Sequence, residues 1–222
     1  MATRPVPLGG TRLAGIGLTY RLDLALAGLL LSVAGGVILM GIITAEALYP
    51  ATYATGTNEI SDLGGTRPPA GIVLQPSATI FDTSMVLVGL LLAAGAIFVQ
   101  RAFRLRSVSL PIGVLGIAAF GVGIFPGNTG APHAICAMGT FLAGGIAALT
   151  SGRVASGPFR LLLVLLGMIT LGVLVTYLLL GDSHPMTPLG VGGIERWIVY
   201  PVVIWTIAFG GFLAGRAPSQ GR

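Results

Sequence analysis

Residues Leu24–Ala45 read LALAGLLLSVAGGVILMGIITA, a run of 22 with no charged side chain. A bilayer core needs about 20 apolar residues as helix, whereas the apolar part of a secretory signal spans only about 7–15. The Ala45-Glu46-Ala47 triplet has the look of a cleavage site, but the run ahead of it is too long for a signal. We read it as a retained transmembrane helix, and that reading decides the fold.

The rest of the chain agrees. Hydrophobic residues make up 54% of 222, charged residues 9%, and the mean hydropathy is +0.93. A soluble domain carries about 25% charged residues, so this surface would not stay in water. Five further runs are long enough to span: Thr79–Val99, Val108–Phe125, Ala134–Thr150, Leu161–Leu180 and Trp197–Ala214. The expected fold is all-α: an integral membrane bundle of six transmembrane helices over residues 22–215. Residues 1–21 and 216–222 form its terminal segments. Pro111 falls in the first turn of the third run, and Gly113, Gly116, Gly121 and Gly123 follow. Small residues let membrane helices approach closely, so this helix is expected inside the bundle rather than against lipid.

All 12 basic residues are Arg. Arg4, Arg12, Arg21, Arg101, Arg104, Arg106, Arg153, Arg160, Arg216 and Arg222 fall on one side of a six-span topology. Only Arg67 and Arg196 fall on the other. Basic residues favour the cytoplasmic side, which places both termini there, as in a prokaryotic plasma membrane. The net charge of +5 is thus a topology signal and does not point to nucleic acid. The lone Cys136 excludes an intramolecular disulfide and a cysteine-based metal site.

The acidic residues gather opposite. Glu46, Glu59, Asp62, Asp82, Asp182 and Glu195 lie in outer loops or at outer helix ends, with His133 and His184. Acids barely influence topology, so the clustering needs another cause. The long first outer loop, residues 47–77, carries Asn58-Glu59-Ile60-Ser61-Asp62-Leu63-Gly64-Gly65. It is expected to fold back as a cap. Ile60 and Leu63 are spaced to share one buried side, Asn58, Ser61 and Asp62 suit local backbone bonding, and Gly64-Gly65 suits a sharp reversal.

Asp82, at the start of the second span, is costly in a membrane and predicts a partner, with Arg196 or His133 preferred. The plain alternative is an N-terminal acid favoured by the helix dipole. Glu195-Arg196, with Trp197 and Tyr200, reads either as an interfacial charge pair or as part of an outer pocket. Glu46 carries the same two readings. Both histidines with Asp82 or Asp182 could supply three zinc ligands, although no H-x-x-x-H or H-E-x-x-H spacing supports that.

These segments resemble a known family. Asn58–Gly64, Phe81-Asp82, Gly123-Ile124-Phe125-Pro126 ahead of His133, and Gly192-Gly193-Ile194-Glu195-Arg196 are similar to motifs of the DUF998 family. That resemblance implies a small multi-span bacterial or archaeal membrane protein and brings no activity with it. Ser61, Asp82, His133 and His184 are also similar to the inventory of ceramidase-type zinc hydrolases. Six spans and two histidines depart from the seven spans and three histidines of that class.

Two functions stay open. One is a membrane-embedded enzyme doing acid/base chemistry on a lipid or isoprenoid, with Asp82, His133, Glu195 and Glu46 as catalytic candidates. Asn58, Ser61, Asp62, Arg196 and His184 would then line its pocket. The other is a non-catalytic subunit or lipid-binding protein, assembling with itself or other chains through glycine-rich helices. The expected partner in both is membrane lipid.

Overall fold

The structure is a computed structural model that describes residues 10–217, with side chains from Leu18 onward. The terminal stretches 1–9 and 218–222, with Arg4, Arg222 and the Arg12 side chain, lie outside the described residues. Six helices follow in order: α1 (Gly10–Ala47), α2 (Ser77–Phe103), α3 (Arg106–Ile124), α4 (Ala131–Ser151), α5 (Gly157–Leu180) and α6 (Gly190–Arg216). All six are long and apolar enough to cross a membrane, and no strand occurs among the described residues. Each helix packs on the next, and α6 returns to α1, closing the bundle into a ring.

Glycines set the close approaches. A Cβ built on Gly116 of α3 would lie 2.6 Å from the Ala93 nitrogen of α2. One built on Gly28 of α1 would lie 2.6 Å from the Gly210 carbonyl oxygen of α6. The ring therefore closes backbone to backbone at these points. The expectation of a buried third helix holds for one face only. Gly116, Leu115 and Ala119 pack inward, but Leu110 and Ile117 are 65% and 71% exposed. Glycine on one stripe permits contact there and says nothing about the opposite stripe.

Two boundaries differ from the sequence reading. α1 begins by Gly10, within the segment assigned to the N-terminal tail. α6 begins at Gly190, so Glu195 and Arg196 stand inside the helix instead of opening it. The charged pair looks like a span boundary to hydropathy, but hydrogen bonding carries the helix on past it.

At one end of the bundle the connections are short, residues 104–105 and 152–156. Arg101 approaches buried Asp23 there at 4.0 Å. At the other end residues 48–76 fold over the helix termini as a cap. A single 3-10 turn, Ile60–Leu63, buries both Ile60 and Leu63 against the core.

Candidate functional site

Arg196 organises the capped end. Its Nη2 donates to Glu46 Oε1 at 2.6 Å and to the Tyr53 hydroxyl at 3.0 Å. Its Nη1 is shared among the carbonyls of Thr55 (2.8 Å), Asn58 (3.0 Å) and Gly192 (3.0 Å). One buried guanidinium thus ties α6 to the end of α1 and to the backbone of the cap. Its planar fork of donors is what makes so many simultaneous bonds reachable. Tyr53 passes the connection on, donating to the Glu59 carbonyl at 2.8 Å. Burial raises the Tyr53 phenol above its ordinary value, so it keeps the proton this bond needs.

The cap is held by backbone as much as by side chains. The Gly192 nitrogen donates to the Gly56 carbonyl at 2.9 Å, and a Cβ at Gly192 would overlap the Asn58 carbonyl. The Glu195 carboxylate accepts the Ile60 backbone N–H at the start of the 3-10 turn. Asp62 Oδ2 accepts the Glu59 N–H at 3.0 Å and the Asn58 side-chain amide at 3.4 Å. Ser77, opening α2, donates to the Leu63 carbonyl at 3.1 Å. Gly64 and Gly65 do not make the left-handed reversal expected of them, since Gly64 has φ −86° and Gly65 is not among the positive-φ glycines. Proximity is what Gly64 supplies, and Gly127 supplies it opposite Gly65. A Cβ on Gly64 would strike the Asp82 carboxylate, and the Gly65 carbonyl lies where a Cβ on Gly127 would stand.

Beneath the cap are two adjoining cavities. The wider, about 530 Å3, is a vestibule between α4, α5, α6 and the cap, with Glu59, Ser61, Arg67, His133 and Glu195 on its wall. The narrower, about 80 Å3, runs into the bundle centre among Ile38, Met85, Leu115 and Val203. Ser61, His133, Ala137, Phe141 and Glu195 line both, so the polar groups stand at the junction. His133 is 4% exposed, and its Nδ1 bonds the Phe125 carbonyl at 2.8 Å. A carbonyl only accepts, so Nδ1 carries the hydrogen and Nε2 has no protein partner among the described residues. At the vestibule rim Arg67 pairs with Glu59 at 2.7 Å. Burial raises the Glu59 carboxyl above its usual range, with the Arg67 guanidinium pulling the other way.

Of the residues singled out from sequence, Ser61, His133 and Glu195 meet at this junction. Asn58, Asp62 and Arg196 build the cap above it. Glu46 is taken up by Arg196 and lines neither cavity. His184 is also apart. Its Nδ1 accepts from the Met186 N–H at 3.1 Å and its Nε2 meets the Thr176 hydroxyl at 2.9 Å, stapling the α5–α6 connection. Among the described residues no three His, Cys, Asp or Glu side chains gather as metal ligands.

Asp82 departs furthest from expectation. Neither Arg196 nor His133 bonds it, and its Oδ1 is buried against Gly64 without a partner. The reason lies in the ring order: α6 packs against α1, so Arg196 meets the acid at the end of α1. Asp82→Asn should therefore leave the detergent melting midpoint unchanged or raise it. A fall equivalent to more than about 3 kcal/mol would mean that Asp82 has a charged partner after all. Sequence reasoning missed Tyr53, Glu59 and Arg67. The Arg67–Glu59 spacing was the available signal for the last two.

A ring of six membrane-crossing helices, capped at one end over a polar-mouthed cavity, defines a polytopic helical membrane protein. The chain belongs to the DUF998 family, described as a protein of unknown function, whose model matches residues 32–211. No curated protein and no solved structure matches it.

Proposed function

We propose that the protein takes one lipid-like amphiphile, its polar head in the vestibule and its chain along the narrow cavity. The carrying observation is the shared wall: Ser61, His133 and Glu195 stand where a wide polar chamber meets a narrow apolar one. A membrane amphiphile has that same division, and its chain passes from bilayer hydrocarbon to an apolar cavity with little solvation cost, leaving the polar head to set affinity. The vestibule also touches Leu178 of α5 and Val191 of α6, which are exposed on the outside of the bundle, and this suits entry from the bilayer side. An amphiphile carrying a diazirine in its chain tests this. Irradiation should label Phe141, Met85 or Val203, and His133→Leu should cut the yield at least about tenfold while the protein stays folded. Labelling confined to the lipid-facing surface would defeat the reading.

A catalytic role on the bound head is supported by the tautomer of His133. Anchoring Nδ1 leaves Nε2 as a general base facing the chamber, with the Ser61 hydroxyl and Glu195 carboxylate on the same wall. Ser61 and His133 form no hydrogen bond, so the acceptor of His133 is directed at the ligand and not at a serine nucleophile.

The arginine bias supports a capped end that faces away from the cytoplasm and termini that face it, in the plasma membrane. Cysteines introduced at Leu105 and at Thr52 should label from opposite sides of the membrane. Labelling from the same side would overturn this orientation.

A further inference from the structure

Resting on the amphiphile reading, we infer that the ligand's head is a hydrogen-bond donor, a hydroxyl or a protonated amine, and not a phosphate or carboxylate. The wall at the junction is made of acceptors. His133 spends its ring hydrogen on the Phe125 carbonyl, so the neutral ring offers a lone pair at Nε2. Glu195 gives Oε2 to the Ile60 N–H, and its Oε1 takes no donor from the described residues. The Ser61 hydroxyl is buried, lines both cavities and has no protein partner among the described residues, so it accepts or donates as the ligand requires. A donor head satisfies all three. An acceptor head would set lone pair against lone pair at His133, which is costly in a buried site.

The composition of the wall agrees. The vestibule carries two acidic side chains, Glu59 and Glu195, against one guanidinium, Arg67. Arg67 has a side chain 69% exposed and is already bonded to Glu59. Arg196, the other nearby cation, turns away from the cavity to Glu46 and the cap carbonyls.

The test uses the whole protein in nanodiscs of zwitterionic lipid and four probes with one diazirine-bearing chain. Their heads are glycerol, primary amine, phosphate and trimethylammonium. The glycerol or amine probe should label the cavity residues at least about tenfold more than the phosphate and trimethylammonium probes. Glu195→Gln brings an amide donor to the wall and should narrow the gap between glycerol and phosphate. Equal or stronger labelling by the phosphate probe would overturn the donor assignment and leave the amphiphile reading standing. Trimethylammonium labelling as strong as that of the better of the glycerol and amine probes would overturn it too, because a donor hydrogen would then be unnecessary. If no probe reaches the cavity, the amphiphile reading falls and this assignment with it. The wild-type comparison decides even if the variant does not fold.

Discussion

Arg196→Ala should cost about 3–5 kcal/mol, the loss expected when one member of a buried, hydrogen-bonded ion pair is removed. The variant leaves Glu46 without its cation, the Tyr53 hydroxyl without a donor, and the Thr55 and Asn58 carbonyls unpaired at the side of α6. Scanning fluorimetry in detergent should show a large fall in melting midpoint, and limited proteolysis should cut first within residues 48–76. Arg196→Lys should recover little, because one ammonium cannot reach both Glu46 and the cap carbonyls. A midpoint within error of wild type would show that the guanidinium network is decoration.

The second large effect is expected from a single methyl group. Gly192→Ala places a Cβ onto the Asn58 carbonyl and near the Thr55 carbonyl. The obstacle is backbone held by Arg196, so it cannot swing aside as a side chain would. The cost should reach the top of the ~1–3 kcal/mol range for overpacking. The cap should lift, exposing Ile60 and Leu63, and amphiphile labelling should fall with it. Gly36→Ala is the matched control: nothing lies within 4 Å of its would-be Cβ, so stability should hold or rise slightly. Tolerance of both changes would show that the cap is not seated on α6.

The six helices were legible because hydropathy over a span is a local property. The burial of Ile60 and Leu63 was legible too, since their spacing sets them on one side of a turn. Partner identities were not, because they depend on which helices become neighbours. Arg196 chose Glu46 over Asp82 once α6 packed on α1, and no local feature announces that order. His184 looked equivalent to His133 in sequence, yet Thr176 and Met186 occupy both its nitrogens, while Phe125 occupies one of His133's. The role of Gly64 was read as conformational freedom and proved to be lack of bulk, a distinction that only the opposing surface, Asp82, can make.

Three of the groups that seat the cap, Gly192, Glu195 and Arg196, belong to α6, while Ser77 of α2 holds the Leu63 carbonyl. During synthesis the 48–76 segment therefore emerges long before α6 exists to fasten it. It waits, tied only on the α2 side, while α3, α4 and α5 are made and inserted. A ribosome stalled before α6 would hold five helices with the cap fastened only on the α2 side.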